Sequence, residues 1–183
     1  MKILKWILFV GLALVALIVV VGFLLPDEYE VRRTVQIDAS PERVFPLIHD
    51  FEHFAEWSPY RELDPDIRID ISEPSYGEGA VYRWVSESQG AGVMEIVAVE
   101  PGTRVTHELR FAGSEEYPYN SEFFVEPFGE GSTVTWRFYG DFGGNPIARY
   151  FGLLFESMVG EAYELGLENL KAMAEAEDDG GEG

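Results

Sequence analysis

The residues best suited to acid–base chemistry in this chain are one histidine and two carboxylates near its middle. His107 lies in an alternating run of apolar and polar residues, 104–111, and falls on the apolar side of that run. Glu95 and Glu122 lie in the predicted strands on either side. A histidine and a carboxylate that face one cavity can exchange a proton with a bound molecule. If the protein is an enzyme, His107 and Glu95 are therefore the first catalytic candidates. A hydrogen-bonded or surface histidine remains the favoured interpretation, because strand register cannot be read from sequence.

A second grouping has the spacing of a metal site. Residues 49–53 read His-Asp-Phe-Glu-His. In zinc enzymes that carry H-x-x-E-H on a helix, the histidines hold the metal and the glutamate activates water. Here one short helix is expected to end near His49 and the next to begin near Phe51, so the one-turn spacing is lost. Because the chain also has no cysteine, thiolate ligands, disulfides and a cysteine nucleophile are excluded. We expect two solvated histidines, no metal and no cofactor.

Three common nucleophile and nucleotide-binding motifs are absent from the sequence. It has no G-x-S-x-G, no Walker loop and no G-x-G-x-x-G at a strand–helix junction. The triplet Gly77-Glu78-Gly79 is typical of a hairpin turn instead. Whether the protein is an enzyme stays open at this point, and binding without catalysis is favoured.

Aromatic residues are the main candidates for a ligand-binding surface. They share predicted strand faces, lie at helical spacing near the C-terminus, or flank a Trp-x-Pro turn, and together they could line a cavity. For any single one of them, packing in an ordinary core is the stronger alternative. The candidates are Trp57, Tyr60, Tyr82, Trp84, Phe111, Trp136, Phe138, Phe151 and Phe155.

The N-terminal segment is long and apolar enough to cross a membrane. Nineteen consecutive uncharged residues, Ile7 to Leu25, would span roughly 28 Å as a helix, close to the thickness of the bilayer's hydrocarbon core. A cleaved signal peptide is the main alternative, but its apolar core is usually shorter and ends in a small-residue cleavage site that is missing here. A buried helix is a further alternative. We expect a single-pass membrane anchor.

The positive residues at the N-terminus favour one orientation of that anchor. Lys2 and Lys5 precede the apolar segment, and positive charge is retained on the cytoplasmic side. Arg32 and Arg33 follow it and weaken the bias. The sequence therefore predicts a cytoplasmic N-terminus and an extracytoplasmic domain.

Length and charge divide the rest of the chain and limit its partners. We predict an anchor over residues 1–26, one folded domain over 27–176 and an acidic disordered tail over 177–183. The formal net charge of −20 argues against nucleic-acid binding and against adsorption to anionic lipid headgroups. The oligomeric state is not indicated.

The order of predicted elements after the anchor is strand, two short helices, several strands and one long helix. Ser40 and Pro41 are typical of a helix start, and Ser58-Pro59 ends the second short helix. Short turns between the later strands predict an antiparallel meander. Asn145 and Pro146 are expected to begin the last helix, where apolar residues recur every three or four positions.

Three segments in this order resemble the START-like or SRPBCC superfamily, also described as polyketide cyclase/dehydrase and lipid transport proteins. They are VQIDASPERVFPLIHDFEHFAEWSPY (35–60), GEGSTVTWRFYGDF (129–142) and NPIARYFGLLFESMVGEAYELGLENLKAMAE (145–175). The resemblance implies an α+β helix-grip fold, in which a curved antiparallel sheet of six or seven strands surrounds a long C-terminal helix. It also implies a cavity between sheet and helix for an apolar or amphipathic molecule.

Three functions remain open on the sequence. The leading hypothesis is a membrane-anchored protein that binds a hydrophobic small molecule or lipid in that cavity. The second is a cyclase- or dehydratase-like enzyme that uses the same cavity. The third is an interaction module that recognises a membrane partner through its outer surface.

Overall fold

The computed structural model describes residues 2–88, 90–113, 118–142 and 144–176, apart from the side chains of Lys2 and Phe151. The acidic segment 177–183, predicted to be disordered, lies outside the described residues. The elements are, in chain order, α1 (Lys2–Leu24), β1 (Glu28–Ile37), α2 (Pro41–His49), α3 (Phe51–Trp57), α4 (Tyr60–Leu63), β2 (Arg68–Ile71), β3 (Val81–Ser86), β4 (Gly90–Glu100), β5 (Arg104–Phe111), β6 (Tyr119–Phe128), β7 (Gly131–Asp141) and α5 (Arg149–Ala176).

The strands form one seven-stranded antiparallel sheet, as the sequence predicts. Its order is β1-β7-β6-β5-β4-β3-β2, so strands β2 to β7 form a meander and β1 pairs with the last strand. The sheet curves around α5, which packs most closely against β1. The fold is therefore α+β and of the helix-grip type.

The short helices begin and end at residues whose chemistry explains the boundary. Pro41 occupies the start of α2, where a missing N–H costs nothing. Asp50 has an extended backbone between α2 and α3, and its carboxylate accepts a 2.9 Å hydrogen bond from the N–H of Glu52. The one-turn helix α4, which the sequence does not predict, follows Pro59. It places Tyr60 and Leu63 beside the space between the sheet and α5.

The long helix begins three residues later than Pro146. The side-chain oxygen of Asn145 accepts hydrogen bonds from the N–H groups of Ile147 (3.0 Å) and Ala148 (3.3 Å). These bonds hold a turn that precedes the helical start at Arg149. Farther along, Gly166 lets α5 approach the sheet, because a Cβ there would lie 2.8 Å from the Trp136 ring.

The N-terminal helix α1 extends away from the domain core. Its stretch Ile3–Leu24 is long and apolar enough to cross a membrane, and almost none of it is buried. The hydrophobic core lies wholly between Tyr29 and Ala174. Among the described residues, α1 therefore contributes no side chain to that core.

The core is dominated by aromatic rings that connect the small helices, the sheet and α5. The indole ring of Trp136 stacks on Tyr163 at a centroid distance of 3.7 Å and on Phe123 at 4.7 Å. Trp57 packs edge-on against Trp136 and donates a 2.7 Å hydrogen bond to the carbonyl of Leu47. This packed layer forms one end of the space between sheet and helix.

Candidate functional site

A cavity of about 690 Å³ lies between α4, the strands β3 to β7 and the first half of α5. Its walls come from strand positions on the concave face and from α5 positions at helical spacing. The lining residues are Tyr60, Leu63, Ile67, Tyr82, Trp84, Ser88, Met94, Leu109, Phe111, Tyr119, Phe138, Phe155, Met158, Val159 and Ala162.

The cavity opens to the surface between α4 and α5. Leu63 and Met158 both line it, yet their exposed fractions are 52% and 68%. A dry void of this volume would cost about 17 kcal/mol at ~24 cal/mol per Å³, whereas a whole domain is stable by about 5–15 kcal/mol. The space is therefore an open pocket and not a sealed dry void, with Leu63 and Met158 at its mouth.

Six of the nine aromatic residues suggested by the sequence line this cavity. Tyr82 and Trp84 contribute from β3, and Phe138 and Phe155 face each other from β7 and α5, with their ring centroids 5.7 Å apart. The other two of the six are Tyr60 and Phe111. Trp57 and Trp136 belong to the packed core beneath the cavity and do not line it. The side chain of Phe151 lies outside the described residues.

Several lining residues were not singled out from the sequence. Met158, Val159 and Ala162 follow Phe155 on α5 at three- and four-residue steps. They lie on the same side of the helix as Phe155, which is one of the candidates from the sequence. Tyr119 opens β6, directly after a stretch with no strand pattern, and it stacks on Phe138 with centroids 5.7 Å apart. Helical spacing could have indicated the α5 residues, whereas Tyr119 required the pairing of β6 with β7.

Apart from the indole N–H of Trp84, the polar side-chain groups of the described cavity wall are hydroxyls. Burial raises the pKa of Tyr60 above its ordinary value, and it raises the pKa of Tyr82 to about 12. The Tyr82 hydroxyl has no hydrogen-bond partner among the described residues. Ser88 donates a 2.8 Å hydrogen bond to a carboxylate oxygen of Asp64 at the outer edge. The described lining thus offers neutral hydroxyl groups within an aromatic and aliphatic wall.

His107 and Glu95 do not meet in the structure. The register of β4 and β5 pairs Ile96 with His107 and Glu95 with Glu108. Because neighbouring residues of a strand point to opposite faces, His107 faces the core and Glu95 the outer surface. Glu122 likewise pairs with Thr106 and not with His107. The candidate acid–base pair is thus separated by the sheet, which the sequence pattern alone could not reveal.

His107 is a buried, neutral core residue. It is fully buried against Phe51 and Phe123, and neither ring nitrogen has a hydrogen-bond partner in the described part of the chain. Burial lowers its pKa to about 3. It lies behind the cavity wall and does not line the cavity.

The residues 49–53 are not arranged as a metal site. His49 ends α2 and stacks on Phe45, whereas His53 lies in α3 with its Nδ1 atom 3.8 Å from a carboxylate oxygen of Asp50. The extended residue Asp50 interrupts the helix between the two histidines. Over the described ranges, no group of three or more histidine, aspartate or glutamate side chains could hold a metal ion.

Comparison with known proteins agrees with this geometry. A family model described as "Polyketide cyclase / dehydrase and lipid transport" matches residues 28–175. No curated protein sequence matches the chain. Among solved structures, the KanY protein is 21% identical, with a TM-score of 0.59 over 81% of this chain and 98% of its own. CV1439 from Chromobacterium violaceum is 18% identical, with a TM-score of 0.55 over 80% and 96%.

A further similar structure is that of a protein from a biosynthetic pathway. The di-domain ARO/CYC protein StfQ of steffimycin biosynthesis is 12% identical, with a TM-score of 0.58 over 83% of this chain and 52% of its own. At these identities the solved structures establish the shared fold alone.

Proposed function

Since the chain belongs to the polyketide cyclase/dehydrase and lipid transport family, we propose that its domain binds a neutral, largely apolar small molecule or lipid in the cavity between sheet and α5. The observation that carries this proposal is an open pocket of about 690 Å³ whose described lining holds no charged side chain. Pockets of about 300–1,000 Å³ with mostly apolar walls and few polar groups are typical of small-molecule sites.

The lining also limits the chemistry of the guest. Burying apolar surface contributes about 25 cal/mol per Å², so the hydrocarbon part of a guest supplies the driving force. Burial raises the pKa values of Tyr60 and Tyr82, so their hydroxyls remain protonated near neutral pH and can donate to a carbonyl or hydroxyl oxygen. A charged group buried there without a partner would be costly, so a charged end of the guest stays at the mouth.

The same lining favours binding over acid–base catalysis. A cyclase- or dehydratase-like reaction needs a group that gives or accepts a proton near neutral pH. Across the described wall the titratable groups are tyrosines, and burial moves the pKa values of Tyr60 and Tyr82 away from neutrality. We therefore assign the cavity to binding.

Helix α1 anchors this domain in a membrane, with the N-terminus in the cytoplasm and the cavity outside it. The length and apolarity of Ile3–Leu24 support the anchor, and Lys2 and Lys5 support the orientation. The chain has no cysteine, so a single Glu168→Cys variant can be labelled selectively. We expect a membrane-impermeant maleimide to label it in intact cells, and labelling only after lysis would reverse the orientation.

A cavity-filling variant tests the binding proposal. Ala162 lines the cavity, whereas Ala172 is exposed farther along the same helix. We expect native mass spectrometry of the full-length protein, released from gently prepared membranes, to show an added neutral mass on the wild type and on Ala172→Trp. The same mass should be lost from Ala162→Trp.

The control variant separates cavity binding from lipid that adheres to α1, because such lipid is retained equally by all three proteins. Equal added mass on Ala162→Trp, or a bare chain in every sample, would refute the proposal.

A further inference from the structure

We propose that the start of α5 lies in the interfacial layer of the membrane that α1 crosses, and that the cavity mouth opens onto this bilayer. The inference rests on the proposed role of α1 as an anchor and adds to it the surface through which the guest enters. The surface concerned is the α5 apolar face, which consists of Leu154 and Met158 on α5 and of Ile147 in the turn just before it.

The anchor and α5 are joined by specific contacts. The Arg149 guanidinium donates hydrogen bonds to the carbonyls of Leu25 (2.9 Å) and Phe23 (3.3 Å), at the C-terminal end of α1. Its side chain also lies 3.7 Å from a carboxylate oxygen of Asp27. A Cβ at Gly22 would overlap Pro146, so the two segments touch at that point. These contacts fix the start of α5 beside the last turns of the anchor.

A further contact indicates how deep this junction lies. The Tyr150 hydroxyl donates a 2.7 Å hydrogen bond to the carbonyl of Ile18. Ile18 lies six residues before the end of α1 at Leu24, which corresponds to about 9 Å along a helix. If Leu24 marks the edge of the hydrocarbon, Tyr150 reaches below that edge. Tyrosine is enriched at membrane–water interfaces, so the position of Tyr150 beside the last turns of α1 agrees with an interfacial start of α5.

The α5 apolar face is exposed beside this junction. Its three side chains are 47% to 68% exposed. Leu154 and Met158 are one turn apart and lie on one stripe of α5. The nearby Glu156 points to another side of the helix, where it pairs with Arg33 at 2.8 Å. From Ile147 to Met158 this face carries no charged residue, and Glu161 ends it one turn farther along. An apolar face of this kind is typical of helices that lie on a membrane surface.

Met158 connects this face to the cavity. It is the most exposed residue of the α5 apolar face and it also lines the cavity, across the mouth from Leu63. An apolar guest can therefore pass from the bilayer into the cavity along side chains alone, without crossing bulk water. Exchange with the membrane in which the protein is anchored follows from this placement.

Site-directed spin labelling of the full-length protein tests the inference. Three single-cysteine variants, Leu14→Cys, Leu154→Cys and Glu168→Cys, are reconstituted in phosphatidylcholine nanodiscs. The label's accessibility to oxygen, which concentrates in lipid, is compared with its accessibility to a water-soluble nickel complex. Leu154 and Glu168 are both exposed on α5, about 21 Å apart along the helix, so Glu168→Cys is the matched control.

We expect a several-fold higher oxygen-to-nickel ratio for Leu154→Cys than for Glu168→Cys, with the highest ratio at Leu14→Cys. If Leu14→Cys lies in lipid but Leu154→Cys behaves like Glu168→Cys, the inference is overturned while the anchor stands. If Leu14→Cys itself faces water, the anchor and the inference both fail. Ile147→Cys provides a second label position on the same face if Leu154→Cys does not fold.

Discussion

Replacing His107 with phenylalanine should make the folded protein less sensitive to acid. His107 is fully buried without a hydrogen-bond partner among the described residues, and burial lowers its pKa from 6.5 to about 3. In the unfolded chain the imidazole takes up a proton as the pH falls through about 6.5. In the folded chain it stays neutral until about pH 3. The unfolded state therefore binds more protons over this window, and stability is lost as the pH falls from about 6.5 towards 3.

The size of the effect follows from the same two pKa values. Each pKa unit corresponds to about 1.4 kcal/mol. At pH 5 the medium is about 1.5 units below the unfolded-state pKa, so His107 alone lowers the free energy of unfolding by about 2 kcal/mol relative to pH 7. A phenylalanine ring can keep the contacts with Phe51 and Phe123, and it has no proton to gain. Between pH 7 and pH 5, the free energy of unfolding of His107→Phe should therefore fall by about 2 kcal/mol less than that of the wild type.

Urea unfolding of the full-length protein in mild detergent, followed by tryptophan fluorescence at pH 5, 6 and 7, measures this difference. The anchor is common to all variants and cancels in the comparison. Ser121→Ala is the matched control, because Ser121 is the buried β6 residue opposite His107 and accepts a 2.9 Å hydrogen bond from Trp136. Ser121→Ala should lower the free energy of unfolding at every pH without changing how steeply that free energy depends on pH. Parallel pH profiles for wild type and His107→Phe would refute the assignment of a buried neutral imidazole.

Two substitutions at glycines and one in the core give further predictions for the same unfolding assay. Gly92→Ala should lower stability by about 1–3 kcal/mol, since its Cβ would overlap the Trp84 ring and lie close to a carbonyl of β5. Gly160→Ala meets only the flexible end of Arg33, so the helix-propensity gain of up to ~1 kcal/mol should leave stability unchanged or raised. Equal losses in these two variants would contradict this packing. Trp136→Phe should lower the free energy of unfolding by about 1–3 kcal/mol, because it removes the indole N–H that donates to the buried Ser121. A loss of stability no larger than that of a substitution at an exposed position would count against this hydrogen bond.

The fold was predictable because each local signal agreed with its neighbours. Alternation in 104–111, turn residues between successive strands and Pro41 at a helix start all act within a few residues of the element that they define. The sequence predicts too early a start for α5, because Asn145 and Pro146 carry the usual signals of a helix start. The structure uses Asn145 to hold a separate turn before Arg149. The short helix α4 gave no periodic signal, since four residues are too few to show one.

The lining of the cavity was only partly predictable, because it depends on which rings are used for packing. Trp136 and Phe138 share one strand face, yet Trp136 is stacked beneath Tyr163 while Phe138 reaches the cavity. Their different roles are set by where α5 crosses the sheet, which the close approach at Gly166 allows. Met158 is a second example. Helical spacing predicts that it lies on an apolar face of α5, but it cannot show that this face ends at the mouth of the cavity. Composition and the periodicity of apolar residues thus identify the residues that can form a pocket. Where α5 crosses the sheet decides which of them line it.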